Sequence, residues 1–152
     1  MTTDKIEKHV DLNAPMSRVW RALTDSKEFG TWFHVNLETP FVAGKAIKGN
    51  FTVSKFEHVV GEFFIDRIDP AAGVFSFRWH PFAVDPSTDY SKEPLTTVTF
   101  TLTETATGSH LQITETGFDA LPADRRTKAF AMNDAGWTTQ AKQIADYLAK
   151  VA

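Results

Sequence analysis

Thr116-Gly117-Phe118-Asp119-Ala120-Leu121-Pro122, followed by ADRRTKAFAMNDAGWTTQAKQIADYLAKVA over residues 123–152, decides the fold. It reads as a turn that opens one long amphipathic helix. Phe130, Trp137, Ala141, Ile144, Leu148 and Val151 recur at steps of three, four and seven, which aligns them along one side of a helical cylinder. The stripe is broken by polar or absent side chains. Asn133 stands between Phe130 and Trp137, Gln140 follows it by a heptad, and Gly136 carries no side chain. A helix that only covered a sheet would keep apolar residues there. The break implies an interior not wholly filled by protein, the kind of enclosed space in which a small molecule is held.

Working outward, residues 35–116 read as strands and turns. Segments near 45–54, 57–68, 74–80, 95–105 and 109–116 are set apart by glycine and proline. Residues 97–103, Thr-Val-Thr-Phe-Thr-Leu-Thr, alternate apolar with threonine, the pattern of an antiparallel strand with one wet face. Phe75, Phe77 and Trp79 repeat it one strand earlier. Before this region, residues 5–12 form a first strand, although Lys8 disturbs its alternation. Pro15 opens a helix from within its first turn, with Met16, Val19, Trp20 and Leu23 on one side. Asp25 and Glu28 resemble a capping box for a second short helix that ends near Trp32 and Phe33. The expected fold is α+β in a single domain over 1–152: a curved antiparallel sheet of about seven strands, two short helices after the first, and a long C-terminal helix closing a cavity.

Composition narrows the function. Net charge is −3, which gives no electrostatic case for nucleic acid or an anionic membrane surface. The chain has no cysteine, so disulfides, thiolate metal sites and cysteine nucleophiles are all excluded. The N-terminal residues lack the apolar run of a signal peptide and no stretch reaches membrane-spanning length, so a cytoplasmic location without membrane insertion is expected. Thirteen Phe and four Trp against two Tyr supply more apolar rings than a tight aliphatic core needs.

Several segments carry a family resemblance: residues 14–24 (APMSRVWRALT), 77–81 (FRWHP), 114–119 (TETGFD) and 133–137 (NDAGW). Together with the element order, they resemble the START and birch-pollen-allergen superfamily (SRPBCC), the helix-grip fold. They are closest to the bacterial AHSA-type proteins named after the activator of the ninety-kilodalton heat-shock protein's ATPase. The resemblance implies the fold, a cavity for varied apolar ligands such as lipids or aromatics, and for some relatives catalysis; the name adds a chaperone partner and a stress response.

The candidate ligand-binding residues are Trp20, Phe51, Phe64, Phe77, Trp79, Phe100, Phe130 and Trp137, together with Glu115, Asn133, Gly136 and Gln140. Any one ring also reads as core packing. Glu115 shares strand parity with Leu111 and Ile113, so it points inward, either to anchor a ligand hydroxyl or amine or to reach water or an arginine at the rim. Asn133 alternatively bridges to strand backbone. The long stretch 81–94, with Asp85, Asp89 and Glu93, reads as a solvated loop or as a lid with His80 and Tyr90 at the pocket mouth. Asp124, Arg125, Arg126 and Lys128 read as a wet first helical turn. No His pair has i, i+4 spacing, and no serine elbow or phosphate-binding glycine motif occurs. No metal and no cofactor are expected. The leading reading is a binder of a small apolar molecule; the alternatives are a chaperone-associated module, and an enzyme with Glu115 or His80 as base.

Overall fold

The computed structural model describes residues 4–85 and 87–151. Strand β1 (Lys5–Leu12) is followed by helices α1 (Met16–Thr24) and α2 (Ser26–Phe33). Strands β2 (Ala46–Asn50), β3 (Val60–Asp69), β4 (Val74–Trp79), β5 (Thr96–Glu104) and β6 (Ser109–Thr116) come next, and helix α3 (Ala123–Val151) closes the chain. The sheet is antiparallel, with order β1-β6-β5-β4-β3-β2. It has six strands rather than about seven. Between α2 and β2 the chain makes only the single bridge Val35–Phe51, and no strand forms between β4 and β5 among the described residues.

Alternation dictates the two faces. Val98, Phe100 and Leu102 of β5 and Leu111 and Ile113 of β6 are buried, while the intervening threonines of β5 look outward. Lys8 is inward-facing yet tolerated, because its ammonium reaches Asp134 on α3 at 2.9 Å. Asp25 caps α2 by accepting from the backbone N–H groups of Lys27 and Glu28. The reciprocal half of a capping box is replaced: Glu28 instead binds Arg18, Arg21 and Tyr147, tying α1 and α2 to α3. Pro15 is the cap of α1 rather than a first-turn residue, its carbonyl accepting from Arg18 and Val19. Gly30, which weakens α2 in isolation, is required by packing, since a Cβ there would lie 2.3 Å from the Val35 carbonyl oxygen.

Helix α3, 29 residues and roughly 43 Å long, lies across β1 and against α2. It buries Ala129, Trp137, Ile144 and Leu148; Val151, expected on that stripe, is 43 % exposed. The space beneath α3 is largely occupied. Phe29 of α2 stands at the centre of a ring cluster, with Phe33 stacked at 4.8 Å and Trp32, Phe41, Phe63, Phe75, Phe77 and Phe100 around it. This corrects the expectation of an open hollow along the helix. The rings that fill it come from α2, where Phe29, Trp32 and Phe33 recur at i, i+3, i+4, an inward face written in the sequence.

Candidate functional site: a groove beside a buried carboxylate

Glu115, at the inner end of β6, is 0 % exposed and is surrounded by neutral donors. Trp137 Nε1–H donates to Oε1 at 2.7 Å, Trp79 Nε1–H to Oε2 at 2.8 Å, and the Thr96 hydroxyl to Oε2 at 2.6 Å. The Asn133 amide donates to both oxygens, at 3.0 and 3.1 Å. Indole N–H and amide NH2 groups can only donate, so both carboxyl oxygens act as acceptors. Glu115 is therefore neither at a wet rim nor paired with arginine. It joins β4, β5 and β6 to α3 from behind Trp79, Asn133 and Trp137, and it does not line the space in front of them.

The polar break in the α3 stripe has the same structural logic. Gln140 Nε2 donates to the Phe33 carbonyl at 3.3 Å and Gln143 Nε2 to the Trp32 carbonyl at 3.0 Å. These are carbonyls of the last residues of α2, which lack partners within their own helix. Gly136 differs. A Cβ built there meets nothing within 4 Å.

That space is a cleft of about 150 Å³ lined by Phe33, Phe51, Trp79, Asn133, Gly136, Trp137 and Gln140. Beside it lies a larger groove of about 350 Å³ whose walls include Val59, Val60, Gly61 and Glu62 at the start of β3 and His80, Phe82, Val84 and Tyr90 of the loop. The two share Phe51, Trp79 and Asn133. The structure thus brings six of the expected binding residues and both mouth residues to one region, with Glu115 behind them, and places Phe33, Phe82 and the start of β3 there as well.

Other expected residues lie elsewhere. Phe77 and Phe100 are buried inside the ring cluster. Phe130 packs edge-on against Phe118 at 5.2 Å, away from the groove. Phe64 alternates with the buried Phe63 and Ile65 and so faces the opposite side of the sheet. Trp20 is partly buried on α1 and borders neither space.

The loop that walls the groove is held by Arg125, which is a clasp rather than part of a wet helical turn. Its guanidinium donates to the Pro81 and Phe82 carbonyls at 2.8 and 3.2 Å and pairs with Glu93 at 2.9 Å. Both charged side chains are less than one-fifth exposed. The same guanidinium sits 4.8 Å from the centre of the Tyr90 ring, and the Tyr90 hydroxyl accepts from the Asp85 N–H. Phe82 adopts a left-handed backbone with φ 48°, an uncommon state for a bulky residue, found where surrounding contacts over-determine the chain. His80 Nδ1 is buried without a hydrogen-bond partner among the described residues. Burial lowers the His80 pKa below 6.5 and Arg125 adds to this, against the opposing charges of Glu93, Glu62 and Asp89.

Because the folded-state pKa of His80 is depressed, the neutral form is favoured, and its contribution is complete above pH 6.5 and lost as pH falls through the lower folded value. Probe affinity for the groove is expected to stay flat down to about pH 6.5 and to decline only at lower pH, as His80 of the folded protein protonates, and His80→Gln is expected to flatten that profile. Fluorescence titration across pH checks both.

Among the described residues, no group of three or more His, Asp or Glu side chains could hold a metal ion, and no helix is long and apolar enough to cross a membrane.

A curved antiparallel sheet gripping a long C-terminal helix defines the helix-grip class of α+β domains. The family profile described as activator of Hsp90 ATPase homolog 1-like protein matches residues 13–149, and the chain belongs to that family. Among solved structures, protein MLL2253 from Mesorhizobium loti is similar at TM-score 0.74 and 22% identity, covering 97% of this chain and 98% of that one. A protein from Arthrobacter aurescens superposes at TM-score 0.77 and 17% identity, over 97% and 87% of the two chains. DynU16, described as a putative protein in the dynemicin biosynthetic locus, is similar at TM-score 0.72 and 24% identity. That likeness covers 95% of this chain but 47% of DynU16. At these identities the likeness is one of fold. A search of curated proteins returns no match.

Proposed function

We propose that this protein binds a small, predominantly apolar molecule in the groove between α3, the end of β4 and the 81–94 loop. The observation that carries the reading is Gly136: on a helix whose other inward residues are all engaged, it alone leaves open space, and that space adjoins the larger groove. The groove's volume suits a compact aromatic or short-chain ligand, at the lower end of small-molecule sites. Apolar burial at roughly 25 cal/mol per Å² drives affinity. Glu62 and His80 select among ligands at the wall. Glu115 acts through position, holding Trp79, Asn133 and Trp137 where they border the site; its oxygens already serve protein donors, which argues against its use as a catalytic base. The reading goes with a cytoplasmic location.

The test is titration with an environment-sensitive apolar dye, with aromatics and fatty acids as competitors. Gly136→Leu is expected to weaken dye binding at least tenfold while keeping the fold, because the added side chain enters the cleft and leucine exceeds glycine in helix propensity by about 0.8 kcal/mol. Unchanged binding in that variant sinks the reading.

A second reading, a chaperone-associated module, is favoured by one observation. Val53, Phe56 and Val60, around the β2–β3 connection, are apolar side chains 41 %, 40 % and 52 % exposed, and Val60 also lines the groove. Co-purification with a bacterial chaperone and stimulation of its ATPase, both abolished by Phe56→Asp with dye binding retained, would favour it.

A further inference from the structure

The opposite face of the sheet carries a pair of histidines that the sequence does not reveal. His9 on β1 and His110 on β6 are 101 positions apart, yet Asp11 is registered against His110 and His9 against Gln112, which makes the histidines diagonal neighbours on one face. His9 Nδ1 and His110 Nε2 point at each other across 2.8 Å. Each remaining ring nitrogen is held by a carboxylate: His9 Nε2 by Glu7 at 2.7 Å and His110 Nδ1 by Asp11 at 2.7 Å. Three hydrogen bonds need three protons on two rings, one for each carboxylate and one shared between the facing nitrogens.

We propose that His9 and His110 form a two-histidine chelate for a divalent first-row transition ion, which takes the place of the shared proton. Two metal–nitrogen bonds of about 2.0 Å at a right angle place their nitrogens about 2.8 Å apart, so the pair is spaced for adjacent positions of a tetragonal ion once the rings, now head-on with centres 5.1 Å apart, turn toward it. A tetrahedral zinc site would require them roughly 0.5 Å farther apart. Copper(II), at the top of the general affinity order for such nitrogen donors, is the ion expected to bind most tightly. The rings must tilt so that their lone pairs converge on the ion, and both are exposed enough to do so. Glu7 and Asp11 supply what histidine ligands usually have, a carboxylate on the far nitrogen that fixes the tautomer and raises basicity. The protein provides two ligands and water the rest, so the site is one of modest affinity on a rigid sheet rather than a closed cage.

The experiment is titration of tag-free protein with copper(II), followed by visible absorbance and electron paramagnetic resonance. One ion should bind per chain in the micromolar range with a spectrum of two nitrogen donors. His9→Ala and His110→Ala should each weaken binding at least tenfold. Glu7→Gln and Asp11→Asn should weaken it less, and His58→Ala should leave it unchanged. All these positions are on the surface, so the variants are expected to fold, which circular dichroism verifies. The proposal is overturned if the wild-type chain binds copper only at millimolar concentration, or if His9→Ala and His110→Ala bind as wild type does.

Discussion

Glu115→Gln is expected to lower the unfolding free energy by about 3 kcal/mol, although it removes no volume. The substitution replaces one acceptor oxygen with an NH2 group that must face indole, hydroxyl or amide donors. At least one buried donor is then left without a partner, at about 1–3 kcal/mol each, and two like donors are pressed together. For a domain of this length, the result is a fall in melting temperature of roughly 10 °C. Trp137→Phe should destabilise less, because the carboxylate keeps its bonds from Trp79, Thr96 and Asn133. Thermal denaturation by circular dichroism measures both. If Glu115→Gln melts with the wild type, the carboxylate is not the tie described above.

The second large effect belongs to Arg125. Arg125→Met preserves the aliphatic stem but frees two loop carbonyls and leaves Glu93 a largely buried, unpaired carboxylate. Breaking one side of such a pair costs about 3–5 kcal/mol when it is well buried. Here part of that energy holds the loop alone, so global stability should drop by only about 2 kcal/mol. Amide exchange across 81–94 should accelerate by more than tenfold, and dye affinity should fall in proportion to the fraction of molecules whose groove wall is formed. Hydrogen-exchange mass spectrometry with dye titration reads both. Intact loop protection in Arg125→Met would show that other contacts pin the wall.

The sequence made some of this legible and hid the rest for physical reasons. Local periodicity was enough for β5, where threonine alternates with apolar residues, and for the inward stripe of α3 at Trp137, Ile144 and Leu148. The parity of Glu115 with Leu111 and Ile113 placed it inside. Its partners could not be read, because Trp79, Thr96 and Trp137 reach it only through strand register and helix docking across 19 to 36 positions. The polar residues Asn133 and Gln140 suggested emptiness, yet they are spent on a carboxylate and on the carbonyl end of α2; only Gly136 marks real space. The α2 rings were visible as a helical face, but their position under the sheet is a tertiary fact. The histidine pair and the Arg125 clasp likewise depend on distant segments meeting.

The tryptophans offer the most direct test of the central claim. There are four, and each indole N–H gives one proton–nitrogen resonance. Trp79 and Trp137 border the cleft, whereas the Trp32 indole donates to the Ala22 carbonyl in the core and Trp20 lies on α1. Titrating 15N-labelled protein with a small apolar aromatic should shift the Trp79 and Trp137 signals, saturably, while those of Trp20 and Trp32 stay in place. Four unmoved signals, or shifts confined to Trp20 and Trp32, would contradict a ligand seated in the groove.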